Sequence, residues 1–472
     1  MNKNPETIED ILKYFHGITY HGIDLSLALS NTFSIDQMYG TLHKKRKNDW
    51  LYRFLRFRFV NYFLAKRWKN NQNIDLNQVK FLLLSTGEDR VTSLSFPIFE
   101  KLKPETGLII FTSHIPPKIN SPFPSINIRD IPYDFSEMQK AVGNFWKDMQ
   151  KSLSIVQNEF GFSNYRLYSI QSTLCNAVAS VLRAECLLSQ IKPHLVLSEF
   201  DHLNYDAIVL QIARKMNIPT ATLVHGLQGG DKFSKSVWAP LIANKIIVWG
   251  EWMRDIFEEI GVPTKNIEIG GYPRIREINS DDILTTNKKL LRFNLLSNKP
   301  IVLFISTNLS DEKPATELFF NVQKNFPELN FMVRPHPREN LVWYEKNNIS
   351  HQKLQNPINF TIIESLSVSD IVVGTGSGGV FDAILLSKPV ILLKDKRVNY
   401  SNFPILDKCV NLNIAYYADN YDDFCKLMNR IKLNLKKKII VPNYLYTSLG
   451  EESAKKSAQL ICDYTKKAAI IR

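Results

Sequence analysis

The segment Arg334-Pro-His-Pro-Arg338 sets two guanidinium groups around one imidazole within a single short turn. Pro335 and Pro337 restrict the backbone and hold His336 in one direction just past an apolar run. Arg334 and Arg338 suit phosphate oxygens, and His336 can donate a hydrogen bond or a proton. A second stretch, Gly374-Thr-Gly-Ser-Gly-Gly379, lies between an apolar run and a short helical pattern. A glycine-rich turn opening a helix presents backbone N–H groups and the positive end of the helix dipole, an arrangement that favours phosphate. Read literally, it also fits the G-x-G-x-x-G pattern of dinucleotide sites, with Asp395 after the next strand. Its late position and a helix stopped early by Pro389 favour a nucleotide-diphosphate or sugar-phosphate site over a dinucleotide or a plain turn.

Further candidates fall at other strand ends. His225-Gly226 follows the run Thr220–Val224, where glycine lets a substrate approach and histidine is placed to take a proton from a hydroxyl. Glu199 and Asp201 form an acidic pair after another run, as bases, as groups that orient one, or as caps of the following helix. Arg274, after Tyr272-Pro273, is placed near a hinge to reach an anion. The chain has no Gly-Lys-Ser/Thr loop, no His-Glu-x-x-His and no Asp-x-Asp, and its nine histidines do not cluster at metal-ligand spacing. Chemistry without a metal or cofactor is therefore expected, with arginine, histidine and a helix dipole stabilising a leaving diphosphate.

The elements that must position these residues alternate between apolar strands and helices. Strands are expected at Phe81–Ser85, Leu108–Thr112, Leu195–Ser198, Ala221–His225, Lys245–Trp249 and Ile267–Ile269. A second series follows at Ile301–Ser306, Phe331–Arg334, Asp370–Val373, Val390–Leu393 and Val410–Leu412. One long helical stretch spans Phe135–Gln190, and Glu451–Lys467 reads as a closing helix. Strands that are apolar throughout, alternating with helices, form parallel sheets covered on both faces. The fold class is α/β, with two doubly wound Rossmann-like domains facing a cleft and a helical N-terminal segment. The expected divisions are 1–77, 78–270, 271–450 and 451–472.

Composition fits a chain with a sizeable core, at 472 residues, 44% hydrophobic and 22% charged. The polar, acidic start does not resemble a signal peptide, and five scattered cysteines without Cys-x-x-Cys suggest reduced thiols in a cytoplasm. The net charge of +13 is uneven, because residues 43–69 hold ten lysines and arginines against Asp49 alone. Trp50, Tyr52, Phe57, Tyr62 and Trp68 are interleaved among them. That mixture suits an anionic membrane surface better than a nucleic acid, unless the segment simply packs on the body with its cations in water.

Together the motifs resemble glycosyltransferases of the GT-B type, most closely the CDP-glycerol glycerophosphotransferases and related capsule and teichoic-acid polymerases. The resemblance rests on Val224-His-Gly226, Gly271-Tyr-Pro-Arg274, Arg334-Pro-His-Pro337 and Ser377-Gly-Gly-Val-Phe-Asp382 continued by Leu386-Ser-Lys-Pro389, and spans roughly 195–395. It implies transfer of a glycosyl or polyol-phosphate group from a nucleotide sugar or CDP-polyol to a glycan or lipid-linked acceptor of the cell surface. His225 would be the base and His336 a donor-phosphate ligand; Ser377, Gly378 and Gly379 would meet the diphosphate, and Asp382 would face the cleft. Gly226-Leu-Gln-Gly229 and Ser-Gly-Gly depart from that family's Gly-Thr-Pro and Ser-Ser, which leaves nucleotide sugars and polyol phosphates equally open as donors. UDP-N-acetylglucosamine 2-epimerases share the outline, but their Ser-Gly-Gly leads into Gln-Glu-Glu rather than Val380-Phe381-Asp382. The expected setting is the cytoplasmic face of the cell membrane, with a non-catalytic membrane-surface scaffold as the alternative outside enzymes.

Overall fold

A computed structural model describes residues 9–29, 74–87, 89–102, 106–112, 123–202, 204–227, 238, 240–293, 295, 298–307, 313–336, 339, 341–342, 344, 354–356, 359–394, 403–435 and 439–471. The basic–aromatic segment 43–69, Arg338 and Asp395 lie outside them. The chain divides into two compact units, one holding residues up to His225 with 231–274 and 451–472, the other Gly226–Gly230 and Ile275–Gly450.

The first unit is built on a parallel sheet of β1 (Phe81–Ser85), β2 (Gly107–Phe111), β3 (Ser125–Asn127), β4 (Leu195–Ser198), β5 (Thr220–Leu223), β6 (Lys245–Val248) and β7 (Ile267–Ile269). Their order across the sheet is β3-β2-β1-β4-β5-β6-β7. Every residue of β1 and β2 is buried, as a sheet covered on both faces requires. The chain reverses its direction of winding between β1 and β4, and at such a switch the two outgoing loops diverge and leave a crevice at the strands' carboxyl ends.

The expected single helix over Phe135–Gln190 is two, Phe135–Phe160 and Asn164–Ile191. Gly161 ends the first in the left-handed region at φ +66° and donates to the Gln157 carbonyl, while the Ser163 side chain caps the second. Asn164–Ile191 is long and apolar because it is a core helix: Leu174, Val178, Val181 and Leu188 are fully buried in the unit. Ile11, Leu12, Phe15 and Leu25 join the same core, so residues 9–29 form part of the first unit.

The closing helix, Gly450–Ile471, also belongs to the first unit, where Ala454, Ala458 and Ile461 pack on the sheet. Its approach is close: a Cβ on Gly270 would lie 2.1 Å from Ser457 Oγ, and Ser453 Oγ donates to the Gly270 carbonyl at 3.0 Å. Gly271 then takes φ +92°, a backbone conformation that leaves little alternative to glycine.

The second unit repeats the plan with β8 (Ile301–Ile305), β9 (Asn330–Arg334), β10 (Ile371–Gly374), β11 (Val390–Leu393) and β12 (Tyr416–Ala418), in parallel order β9-β8-β10-β11-β12. Its switch lies between β8 and β10. The expected strand at Val410–Leu412 falls instead at the end of a helix, Pro404–Asn411. Pro404 starts that helix with the φ it needs, Ile405, Leu406 and Cys409 face inward, and the strand follows at Tyr416.

Candidate active site

At the switch of the first sheet, Glu199 is fully buried directly after β4. Its carboxyl accepts from Ser85 Oγ at 2.9 Å, from Ser95 Oγ, and from the Thr86 backbone N–H at 2.8 Å. One side chain thus fastens the loop after β1 and the helix Asp89–Leu102 to the end of β4. The backbone carbonyl of the same residue accepts from His225 Nδ1 at 3.0 Å. A carbonyl has no proton to give, so Nδ1 carries the hydrogen and Nε2 is the basic nitrogen of the neutral ring.

The rest of the surroundings fix that ring. Phe200 lies against it at 3.7 Å between centroids and Trp238 at 5.7 Å, with Trp238 in turn edge-on to Phe257. Just upstream, the Val224 carbonyl accepts from Trp249 Nε1 at 2.9 Å and its N–H donates to Ile247. A half-buried histidine with one nitrogen committed to a carbonyl has the form of a general base for a hydroxyl.

Asp201 is equally buried and its carboxylate has another set of partners. It accepts from Thr222 Oγ1 at 3.0 Å and from the N–H groups of Ile242 and Ala243, stitching the loop after β4 to the approach to β6. His202 Nε2 lies 3.2 Å from it. Nearby Asp206 accepts from Ser198 Oγ at 2.6 Å.

Burial pushes the carboxyl groups of Glu199 up to about 7 and Asp206 up to about 8, against hydrogen bonds that pull the other way. Both groups hold protons in the folded chain over a range where the unfolded chain has released them. Stability from this pair is therefore fully present only below the unfolded carboxyl values of 3.8 and 4.5, and is lost as pH rises from there through about 7 to 8. A Glu199→Gln/Asp206→Asn variant is expected to show a smaller drop in melting temperature than the parent between pH 5 and pH 8, roughly the window between the two sets of pKa values. Scanning calorimetry across that range checks it.

In the second unit the switch gathers three loop starts. Ile305, the last residue of β8, pairs with Arg334 on one side and Gly374 on the other. Ser377 caps the helix Gly378–Leu385, its Oγ accepting from Val380 N at 3.4 Å. Gly374 is pressed against that helix, since a Cβ there would lie 2.5 Å from Val380 Cγ2. Gly378 and Gly379 form the first turn, where backbone N–H groups have no acceptor inside the helix. Asp382, by contrast, is wholly buried within the same helix.

His336 is half-buried, and its backbone N–H donates to Glu339 Oε2 at 2.9 Å. Burial raises the Glu339 carboxyl, which also engages the Ser306 hydroxyl beyond β8. Glu339 is not among the residues the motifs single out; its place three residues after His336 is the signal for a side chain that reaches back to that backbone N–H. Arg334 points inward, Nη1 donating to the Phe360 carbonyl at 2.7 Å and Ser365 Oγ at 2.8 Å, and so ties β9 to the helix Ile362–Ser367. Arg274 is half-buried at the end of the first unit.

Lys388 of the Lys-Pro pair lies at the other end of the sheet. Its ammonium donates to the Ser369 carbonyl at 2.8 Å just before β10, and burial lowers its pKa. Lys388→Met is expected to cost about 1 kcal/mol of stability, read as a lower melting temperature, and to leave donor affinity unchanged. Among the described residues, no three His, Cys, Asp or Glu side chains are placed to hold a metal ion.

Each of the two units holds a doubly wound parallel sheet, the α/β plan that the motifs imply. Neither protein-family models nor curated sequences give a match. Solved structures similar to the chain include a UDP-N-acetylglucosamine 2-epimerase (14% identity, covering 82% of this chain and 96% of that one, TM-score 0.49). The wall teichoic acid polymerase TagF is similar at 13% identity, covering 87% and 97%, with TM-score 0.49. Anabaena HepE in complex with UDP-glucose gives 11% identity, covering 83% and 98%, with TM-score 0.42. At such identities the likeness concerns the fold and does not choose among these reactions.

Proposed function

We propose that the chain is a metal-independent transferase that moves a glycosyl or polyol-phosphate group from a nucleotide-activated donor to a hydroxyl of a cell-surface polysaccharide. The observation that carries this reading is His225, whose Nδ1 is committed to the Glu199 carbonyl so that Nε2 is its basic nitrogen. In this reading Nε2 takes the proton of the acceptor hydroxyl as its oxygen bonds to the donor's electrophilic centre. The bond to the departing nucleotide phosphate breaks in the same step, and the first turn at Ser377–Gly379, with His336, stabilises the leaving charge. Glu199 positions the base, and Asp201 holds the loop after β4. Arg274 and Arg338 supply cations to the donor, Arg334 braces the loop that receives it, and Asp382 supports the cradle from within its helix.

The same reading places the protein in the cytoplasm on the inner face of the cell membrane, with 43–69 drawn to anionic lipid. A screen of nucleotide sugars and CDP-polyols with glycan acceptors, read by release of UDP, CMP or CDP, tests it. No turnover or binding with any donor rejects an enzyme and leaves the scaffold. A free 2-epimer formed without acceptor assigns the chain to the epimerase reaction.

A further inference from the structure

The helix Ser280–Arg292 of the second unit has an inner face that is fully accounted for. Thr286 and Leu290 are buried, Thr286 Oγ1 accepts from Ser367 Oγ at 3.2 Å, and Lys289 pairs with Glu364. At its start Arg276 pairs with Asp282, which also closes the capping box on Asn279. The outer face is unusual. Leu284 is 55% exposed, Leu291 63% and Ile283 41%. Single exposed leucines are ordinary, and Leu433 and Ile440 elsewhere in the unit are of that kind. Ile283, Leu284 and Leu291 lie within about 100° of one another on this outer face, whereas Phe293, past the helix end, has its ring centroid 5.6 Å from that of buried Phe360.

Cations mark its border. At 100° per residue, Leu284 and Leu291 lie almost in line, with Lys288 about 40° to one side and Arg292 next to it. The Arg292 guanidinium lies 6.0 Å from the Phe293 ring. Asp281 is the one exposed acid on this face, at the helix start. An apolar stripe edged by lysine and arginine complements a bilayer surface carrying anionic headgroups. We infer that the outer face of Ser280–Arg292 docks on an anionic membrane, with Ile283, Leu284 and Leu291 entering the acyl boundary while Lys288 and Arg292 meet headgroup phosphates. This surface is separate from 43–69 and does not depend on the transferase reading.

Sedimentation of the full chain with phosphatidylcholine vesicles containing roughly 30% phosphatidylglycerol tests it. The parent is expected to bind, and Leu284→Asp/Leu291→Asp to lower the partition coefficient at least roughly tenfold. Lys288→Glu/Arg292→Glu, which removes no apolar contact, is expected to weaken binding as well, whereas Leu433→Asp leaves it unchanged. Melting temperatures equal to the parent's show that the variants are folded. Failure of the parent to sediment, or parent-like binding by both double variants, overturns the inference. So does a dimer in ultracentrifugation that Leu284→Asp/Leu291→Asp dissociates, since the face would then belong to a second copy.

Discussion

Replacement of His225 by alanine is expected to lower turnover by about two to four orders of magnitude without weakening donor binding, the range a positioned general base contributes. The prediction follows from the tautomer. Nδ1 is held by a backbone carbonyl that side-chain changes do not remove, so the basicity available to substrate is on Nε2. Alanine also removes the ring between Phe200 and Trp238, so a second variant is needed to separate chemistry from packing. In His225→Asn the amide nitrogen falls close to where Nδ1 was and can still donate to the Glu199 carbonyl, but nothing replaces Nε2. Both variants should show the same loss in turnover and bind UDP or CDP as the parent does by calorimetry. Near-parent turnover in His225→Asn would remove the base assignment; lost nucleotide affinity would move His225 to the donor side.

Much of this site was legible because strand ends announce themselves. β1, β4, β7 and β11 begin and end where apolar runs meet glycine, proline or charge, and His225, Ser377 and the His-Pro turn fall at such places. What one sequence could not show was which strands become neighbours. The partners of Glu199 are 114 and 104 residues away, and only the β1–β4 adjacency turns that acid into the clamp behind His225. Lys388 illustrates the converse. It is near Ser377 in sequence, but the helix Gly378–Leu385 carries the chain from the carboxyl ends of the strands back to their amino ends. Val410–Leu412 looked like a strand because Val410-Asn-Leu412 alternates apolar and polar residues over a stretch too short to distinguish strand from helix; Pro404 at the first helical position was the informative residue. The return of the closing helix to the first unit left only a composition signal, small residues at Ser453, Ala454, Ser457 and Ala458 opposite a glycine.

Ser377→Asp separates donor binding from stability in the second unit. Ser377 caps the helix Gly378–Leu385 through its Oγ, and aspartate caps as well as serine does, with its charge favourable at the positive end of the helix dipole. The variant is thus expected to melt at or slightly above the parent temperature. A diphosphate bound at the same first turn would meet that carboxylate. Two like charges about 5 Å apart at an effective dielectric near 20 repel by roughly 3 kcal/mol, enough for at least about a 100-fold loss of affinity. Ser377→Ala has the opposite profile: it costs the cap about 1 kcal/mol and adds no charge, so stability falls while nucleotide affinity changes little. Calorimetric binding of UDP and CDP beside melting curves of both variants reads the two effects independently. Parent-like affinity in Ser377→Asp would mean that the glycine turn is a packing device for β10 and that the nucleotide's phosphates bind at another strand end.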